Sequence, residues 1–211
     1  MKRLVIVALG LAAVGIASVF STAPTAAQES EIAYVGPDAC KKCHFKEHRA
    51  WKKTGLAKSL DVLKPTAEAD DADLFKKKTA AKLDPAKDYS KDATCLQCHT
   101  TGYGKPGGYP ADASKDAERA ELMGSVSCEA CHGPGGKYVA FKKAEMEKDK
   151  DAKFTFEQQA PMGLIQPDDA NCKTCHNDKN PGNASDPYKF DKSKDLVHPQ
   201  TMCGIETVTS L

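Results

Sequence analysis

Eight of the nine cysteines lie in four copies of one pattern, Cys-x-x-Cys-His. The copies are CKKCH (Cys40, Cys43, His44), CLQCH (Cys95, Cys98, His99), CEACH (Cys128, Cys131, His132) and CKTCH (Cys172, Cys175, His176). A haem binds at such a pattern through two thioether bonds, and the histidine is the proximal iron ligand. Zinc knuckles and disulfides require no histidine at that position. The four copies therefore predict four covalently attached haem c groups.

The sixth ligands of these haems are harder to assign. Four haems with two histidines each would need eight, and the chain has six. His48 and His198 are predicted as distal ligands, the alternatives being a surface histidine and a free side chain in the tail. At least two haems therefore need a residue other than histidine, another subunit, water or an open site. The weaker candidates are Met123, Met146, Met162, Met202, Lys142 and Lys143.

The N-terminus has the pattern of a Sec-type signal peptide. Lys2 and Arg3 precede an apolar run over 4–20, and small residues end at Ala27. Cleavage after 27 would leave 28–211 as one tetrahaem cytochrome c domain in the periplasm. The alternative is an uncleaved membrane anchor, because the run is at the lower limit for a membrane span.

Composition limits both the partners and the core. Residues 28–211 hold 28 Lys+Arg against 29 Asp+Glu, so nothing indicates nucleic-acid binding. Aromatic residues are 7% of the chain, and Trp51 is the only tryptophan. We therefore expect the porphyrins to supply much of the core and the apoprotein to fold poorly. The charged segments are either solvated helix faces or docking patches for another redox protein, and Cys203 is expected to be a free or intermolecularly paired thiol.

The segments between the motifs predict a mostly α fold with extensive irregular loops, compact around the four haems, and no strands. Loops are indicated over 100–110 and 177–188 by glycine, proline and asparagine. Ser114 is a possible N-cap. Helices are predicted over 45–64, 68–83, 114–124 and 137–150.

Three segments resemble the tetrahaem cytochrome c-554 family, the periplasmic electron carriers paired with hydroxylamine oxidoreductase. They are 40–59 (CKKCHFKEHRAWKKTGLAKS), 82–109 (KLDPAKDYSKDATCLQCHTTGYGKPGGY) and 125–135 (SVSCEACHGPG). The resemblance implies an α-rich monomer with stacked haem pairs. Three of its haems would have two histidine ligands, and the haem of His99 would be five-coordinate. His198 would match the C-terminal ligand of the first haem.

The chain also departs from that family at two ligand positions. Leu56 stands where the family has the distal histidine of the third haem, and His48 is a possible replacement. Lys142 stands where the family has a histidine about ten residues after the third motif. The fourth haem therefore lacks the ligand that the resemblance implies.

Three functions follow from these patterns. The first is electron transfer between other redox proteins as donor and acceptor, because four irons in one small domain must lie close together. The second is an oxidoreductase acting on a small nitrogen or sulfur species, such as NO or hydroxylamine, at a five-coordinate haem. The third, an extracellular polymer with shared histidines, fits poorly because each copy brings only the same six.

Overall fold

The computed structural model describes residues 33–184, 188–189 and 196–197. The predicted signal peptide, His198, Met202 and Cys203 lie outside the described residues. Within the described ranges the chain forms helices and turns without a strand, which confirms the mostly α fold class.

The helices are short and are separated by turns. In chain order the α-helices are α1 (Pro37–Lys41), α2 (Phe45–Trp51), α3 (Ala72–Ala80), α4 (Ala93–His99), α5 (Ala117–Met123), α6 (Cys128–His132), α7 (Gly136–Lys148), α8 (Phe156–Gln159) and α9 (Asp169–Lys173). The 3₁₀ turns are Gly55–Lys58, Asp61–Leu63, Ala160–Met162 and Pro181–Ala184. Among the described residues no helix is both long and apolar enough to cross a membrane.

Each Cys-x-x-Cys-His motif begins on its own helical turn, which the sequence analysis did not predict. Helices α4 and α6 contain whole motifs, whereas α1 and α9 contain the first cysteine and the following turn completes the motif. In those two motifs the histidine amide donates to the carbonyl of the first cysteine, His44 to Cys40 and His176 to Cys172, both at 2.9 Å. One helical turn thus brings the histidine back beside the first thiol.

The predicted helix over 45–64 is wrong beyond its first two turns. Helix α2 ends at Trp51, and the chain turns there because the hydroxyl of Thr54 donates to the Trp51 carbonyl at 2.7 Å. Gly55 follows, and glycine disfavours a continuing helix. The rest of the predicted helix consists of 3₁₀ turns.

The other predicted helices exist with shifted ends. Helix α3 is shorter than 68–83 because the Asp71 carboxylate caps it, accepting from the Leu74 amide at 2.9 Å. The N-cap of α5 is Asp116 rather than Ser114. Ser114 instead donates its amide to Asp112 at 3.1 Å in a turn. The prediction over 137–150 is confirmed by α7.

The apolar core of the described chain is small. It holds three aliphatic or thioether side chains, two tyrosines and one alanine, and Met123 at its centre is fully buried. The Met123 side chain therefore packs within this apolar cluster. The members are Leu63, Tyr89, Leu96, Tyr109, Ala120 and Met123.

Candidate haem-binding sites

The four motifs, dispersed between residues 40 and 176, meet through their cysteines. The Cys40 thiol lies beside Cys128, which brings the first motif next to the third. The Cys98 thiol lies beside Cys175, which brings the second motif next to the fourth. Cys131 also lies beside Cys172, so the third motif adjoins the fourth.

Two of the motif thiols, those of Cys98 and Cys131, are held in the uncharged form by their surroundings. Burial, followed by the neighbouring Cys172 and Cys175, raises the pKa of Cys131 to about 11. Burial and the proximity of Cys175 raise the pKa of Cys98 to about 11. All eight motif cysteines are free of disulfides. A thioether carries no charge, so such sites suit covalent haem attachment without a desolvation cost.

Two of the four motif histidines are oriented by backbone carbonyls. His99 Nδ1 lies 2.6 Å from the Ser59 carbonyl oxygen, and His132 Nδ1 lies 3.1 Å from that of Ile165. A carbonyl can only accept, so Nδ1 carries the proton and Nε2 presents its lone pair. This is the tautomer that a metal-ligating histidine needs. Burial also lowers the pKa of His99, which favours the neutral ring.

The other two motif histidines contact tyrosines. His44 Nε2 lies 3.1 Å from the Tyr138 hydroxyl on α7. The His176 ring stacks on Tyr188 with 4.5 Å between ring centroids. The first and fourth motifs are thus bordered by aromatic rings, which suit the flat apolar face of a porphyrin.

Ser59 joins the second motif to the segment before the third. Its hydroxyl donates to the His99 carbonyl at 2.8 Å and accepts from the Val126 amide at 2.8 Å. The Trp51 indole donates to the Val126 carbonyl at 2.9 Å. The end of α2 and the turns after it therefore hold His99 close to the segment that precedes the third motif.

Glu129, between the two cysteines of the third motif, is a positioning residue that the sequence analysis missed. It is 2% exposed, and its carboxylate accepts from the backbone amides of Val35, Gly36 and Gly135 at 2.6–2.9 Å. This fastens the chain entering α1 to the third motif. The only feature of the sequence that could have indicated this role is a charged residue between the two cysteines of the motif.

His48 is buried, so the alternative of a surface histidine is wrong. It is 5% exposed, and its Nε2 has no hydrogen-bond partner in the described part of the chain. The nearest carboxylate oxygen, on Asp38, is 4.0 Å away, and the ring packs on Trp51 at 5.3 Å between centroids. Burial lowers the pKa of His48, which keeps Nε2 able to bind a metal. A buried polar nitrogen normally has a partner, and an iron bound at Nε2 would supply one.

The positions of the weaker ligand candidates give less support for a role in iron binding. Lys142 Nζ lies 4.2 Å over the Phe154 ring, and its neighbour is Cys43 of the first motif rather than the fourth. Met146 is 37% exposed on α7. Over residues 33–184 and the two short described pieces, no three His, Cys, Asp or Glu side chains converge as metal ligands.

Comparison with known proteins agrees with this arrangement. Residues 39–133 match the family model of cytochrome c554 and c-prime. The chain is 32% identical to cytochrome c-554 of Nitrosomonas europaea over 174 residues, which are 82% of this chain and 68% of that protein. The solved structure of reduced cytochrome c554 from the same organism superposes with a TM-score of 0.61 at 29% identity, covering 79% of this chain and 84% of the other. The chain belongs to the cytochrome c-554 family.

Proposed function

We propose that this protein is an exported tetrahaem c-type cytochrome that transfers electrons between redox partner proteins. Membership of the family implies c-type haem and a role in electron transfer with protein partners. The number of haems, their ligands and the periplasmic location are inferred here from the four motifs and the N-terminal sequence.

The meeting of the four motifs supports this function best. Contacts between thiols of different motifs pair the first with the third and the second with the fourth. The contact of Cys131 with Cys172 connects the two pairs. Haems attached at these thiols would supply redox centres close enough for rapid exchange of electrons. An unbroken series of neighbouring sites is what a carrier needs.

Each side chain has a defined part in this proposal. The eight motif cysteines would hold the cofactors, and the four motif histidines would supply the proximal ligands. Ser59 and Ile165 orient two of those rings through their carbonyls. His48 is assigned as a distal ligand because its buried Nε2 lacks a partner. His198 is proposed as a second distal ligand on the resemblance alone.

Haem content and processing test the proposal first. We expect mass spectrometry of the periplasmic protein to give a chain beginning at Gln28 with four haems attached. Replacing both cysteines of one motif by alanine should remove one haem. A wild-type count other than four would contradict the assignment.

Electron capacity tests the carrier function itself. A reductive titration should take up four electrons per chain. Flash photoreduction by a flavin should be followed by redistribution among the haems before any second-order reaction. A chain whose haems titrate fully but exchange electrons neither internally nor with any protein would refute it.

A second function is favoured by the shortage of histidines. Four of the six histidines belong to the motifs, so at most His48 and His198 remain as distal ligands and at least two irons have no histidine on the second face. An open iron would permit oxidoreductase chemistry on a small nitrogen or sulfur species. Binding of CO and NO to the reduced protein, counted per haem, decides: no binding rules this function out, and one or more equivalents support it.

A further inference from the structure

Positive charge is concentrated around the first motif. Residues 41–53 contain six Lys or Arg and one acidic residue, Glu47, although the whole chain has a formal net charge of only +1. All six basic side chains and one aromatic ring among them are exposed. We call this set the basic patch: Lys41, Lys42, Phe45, Lys46, Arg49, Lys52 and Lys53.

The geometry of α2 explains how the patch is formed. His48 and Trp51, three residues apart, are the buried face of this helix. Phe45, Lys46 and Arg49 project from the opposite side, since residues at spacings of one and four lie within about 100° of one another on a helix. Phe45 is 56% exposed, so an apolar ring lies among the cations.

Within the described residues, the basic patch combines a local excess of positive charge with an absence of ion pairs. Five lysines outside the patch do pair with a nearby carboxylate, as Lys77 does with Asp73 at 2.6 Å and Lys148 with Glu145 at 2.7 Å. Within the described residues none of the six basic side chains of the patch forms a salt bridge with a carboxylate. Paired charges indicate solvated helix faces, whereas an unpaired cluster of one sign attracts an oppositely charged surface.

The patch also surrounds the most accessible cofactor attachment point. Cys43 is exposed, whereas the other seven motif cysteines are partly buried. It lies between Lys42 and His44, next to Phe45. Exchange of electrons with a second protein requires a redox centre near the surface, and the first motif meets that condition best.

We propose that the basic patch is the docking surface for an acidic redox protein and that electrons enter or leave the chain at the first motif. An exposed ring at the centre of a charged rim is the usual composition of a transient protein interface. With a haem held by Cys40, Cys43 and His44, one electron would pass from the reduced partner to its ferric iron, and no bond or proton would change. The assignment rests on the proposed carrier function.

Charge reversal on α2 tests the docking surface. The probe is a plant-type [2Fe–2S] ferredoxin, a small acidic protein, used reduced for stopped-flow kinetics and oxidised for calorimetric titration. Lys46→Glu/Arg49→Glu reverses two charges of the patch. The matched control, Lys76→Glu/Lys82→Glu, makes the same change at two exposed lysines on and after α3. Phe45→Ser removes the central ring.

The expected results distinguish docking at the basic patch from a general effect of the protein's net charge. At low ionic strength the α2 variant should lose about ten-fold in both rate and affinity, and the control less than about two-fold. The difference should vanish at high salt, whereas the loss in Phe45→Ser should persist. Equal effects of the two double variants, or none, would overturn the proposal. Binding that follows these expectations without electron exchange would refute the carrier function and keep the docking surface.

Discussion

At the scale of single residues, the clearest sign of a missing partner is His48. The ring is almost fully buried, yet its Nε2 has no hydrogen bond in the described chain. Leaving a buried polar nitrogen unpaired costs roughly 1–3 kcal/mol, which an iron ligand would recover. A role in filling space alone would not explain a histidine there.

Replacing His48 by Phe keeps the volume and removes the nitrogen. We expect the count of covalent haems to stay unchanged, one haem to change from low to high spin in the EPR spectrum, and CO binding to rise by one per chain. Trp51→Phe is the matched control because that ring packs on His48 without offering a ligand. A spectrum identical to wild type in His48→Phe would make the residue a packing histidine.

Glu129 is the opposite case, because both oxygens of its buried carboxylate accept hydrogen bonds. Its oxygens accept from three backbone amides, and an amide in Glu129→Gln would turn an N–H group toward those donors. Charge-assisted bonds of this kind are strong, so we expect the free energy of unfolding to fall by about 2–3 kcal/mol. Denaturant titration of the holoprotein measures this. The exposed Glu68→Gln serves as control, and a loss of the same size there would contradict the argument.

At the scale of elements, the shape of the loop over 100–110 depends on two glycines, one because of a close backbone approach and the other because of its positive φ. A Cβ on Gly108 would lie 1.9 Å from the Gly102 carbonyl oxygen, so backbone would have to move. Gly104 has a φ of +69° but open space around it. Gly108→Ala should therefore cost about 2–4 kcal/mol of unfolding free energy, and Gly104→Ala only about 1 kcal/mol. Thermal unfolding compares the two, and equal losses would show that the close approach is unimportant.

The same scale shows what could be predicted from the sequence. Helix α7 and the 100–110 loop were predicted because local propensity and turn chemistry decide them. The break in the helix after the first motif was missed although Thr54 and Gly55 are local signals for it; the bonds of Trp51 and Ser59 to segments far along the chain could not be predicted. The attachment motifs were identified from spacing alone. Glu129 was missed because its partners lie up to 94 residues away.

At the scale of the whole molecule, contacts between cysteines bring the four motifs together. The apolar cluster of the described chain lies around α4 and α5, on the side of the second motif. The thiols of the four motifs meet across the chain, where polypeptide alone offers few buried apolar side chains. Porphyrins would fill that region with apolar surface, and burial of such surface is the main source of folding free energy.

The chain without haem should therefore be only marginally folded. We expect the protein made without haem attachment, or with all eight motif cysteines replaced by serine, to unfold without a cooperative transition in circular dichroism, whereas the holoprotein melts cooperatively. A cytoplasmically expressed chain lacking 1–27 provides the haem-free sample with intact cysteines. Some helical signal should survive, since α7 is set by local sequence. A sharp transition in both haem-free forms would mean that the apolar cluster around Met123 suffices to hold the fold, and the haems would then occupy preformed sites rather than create them.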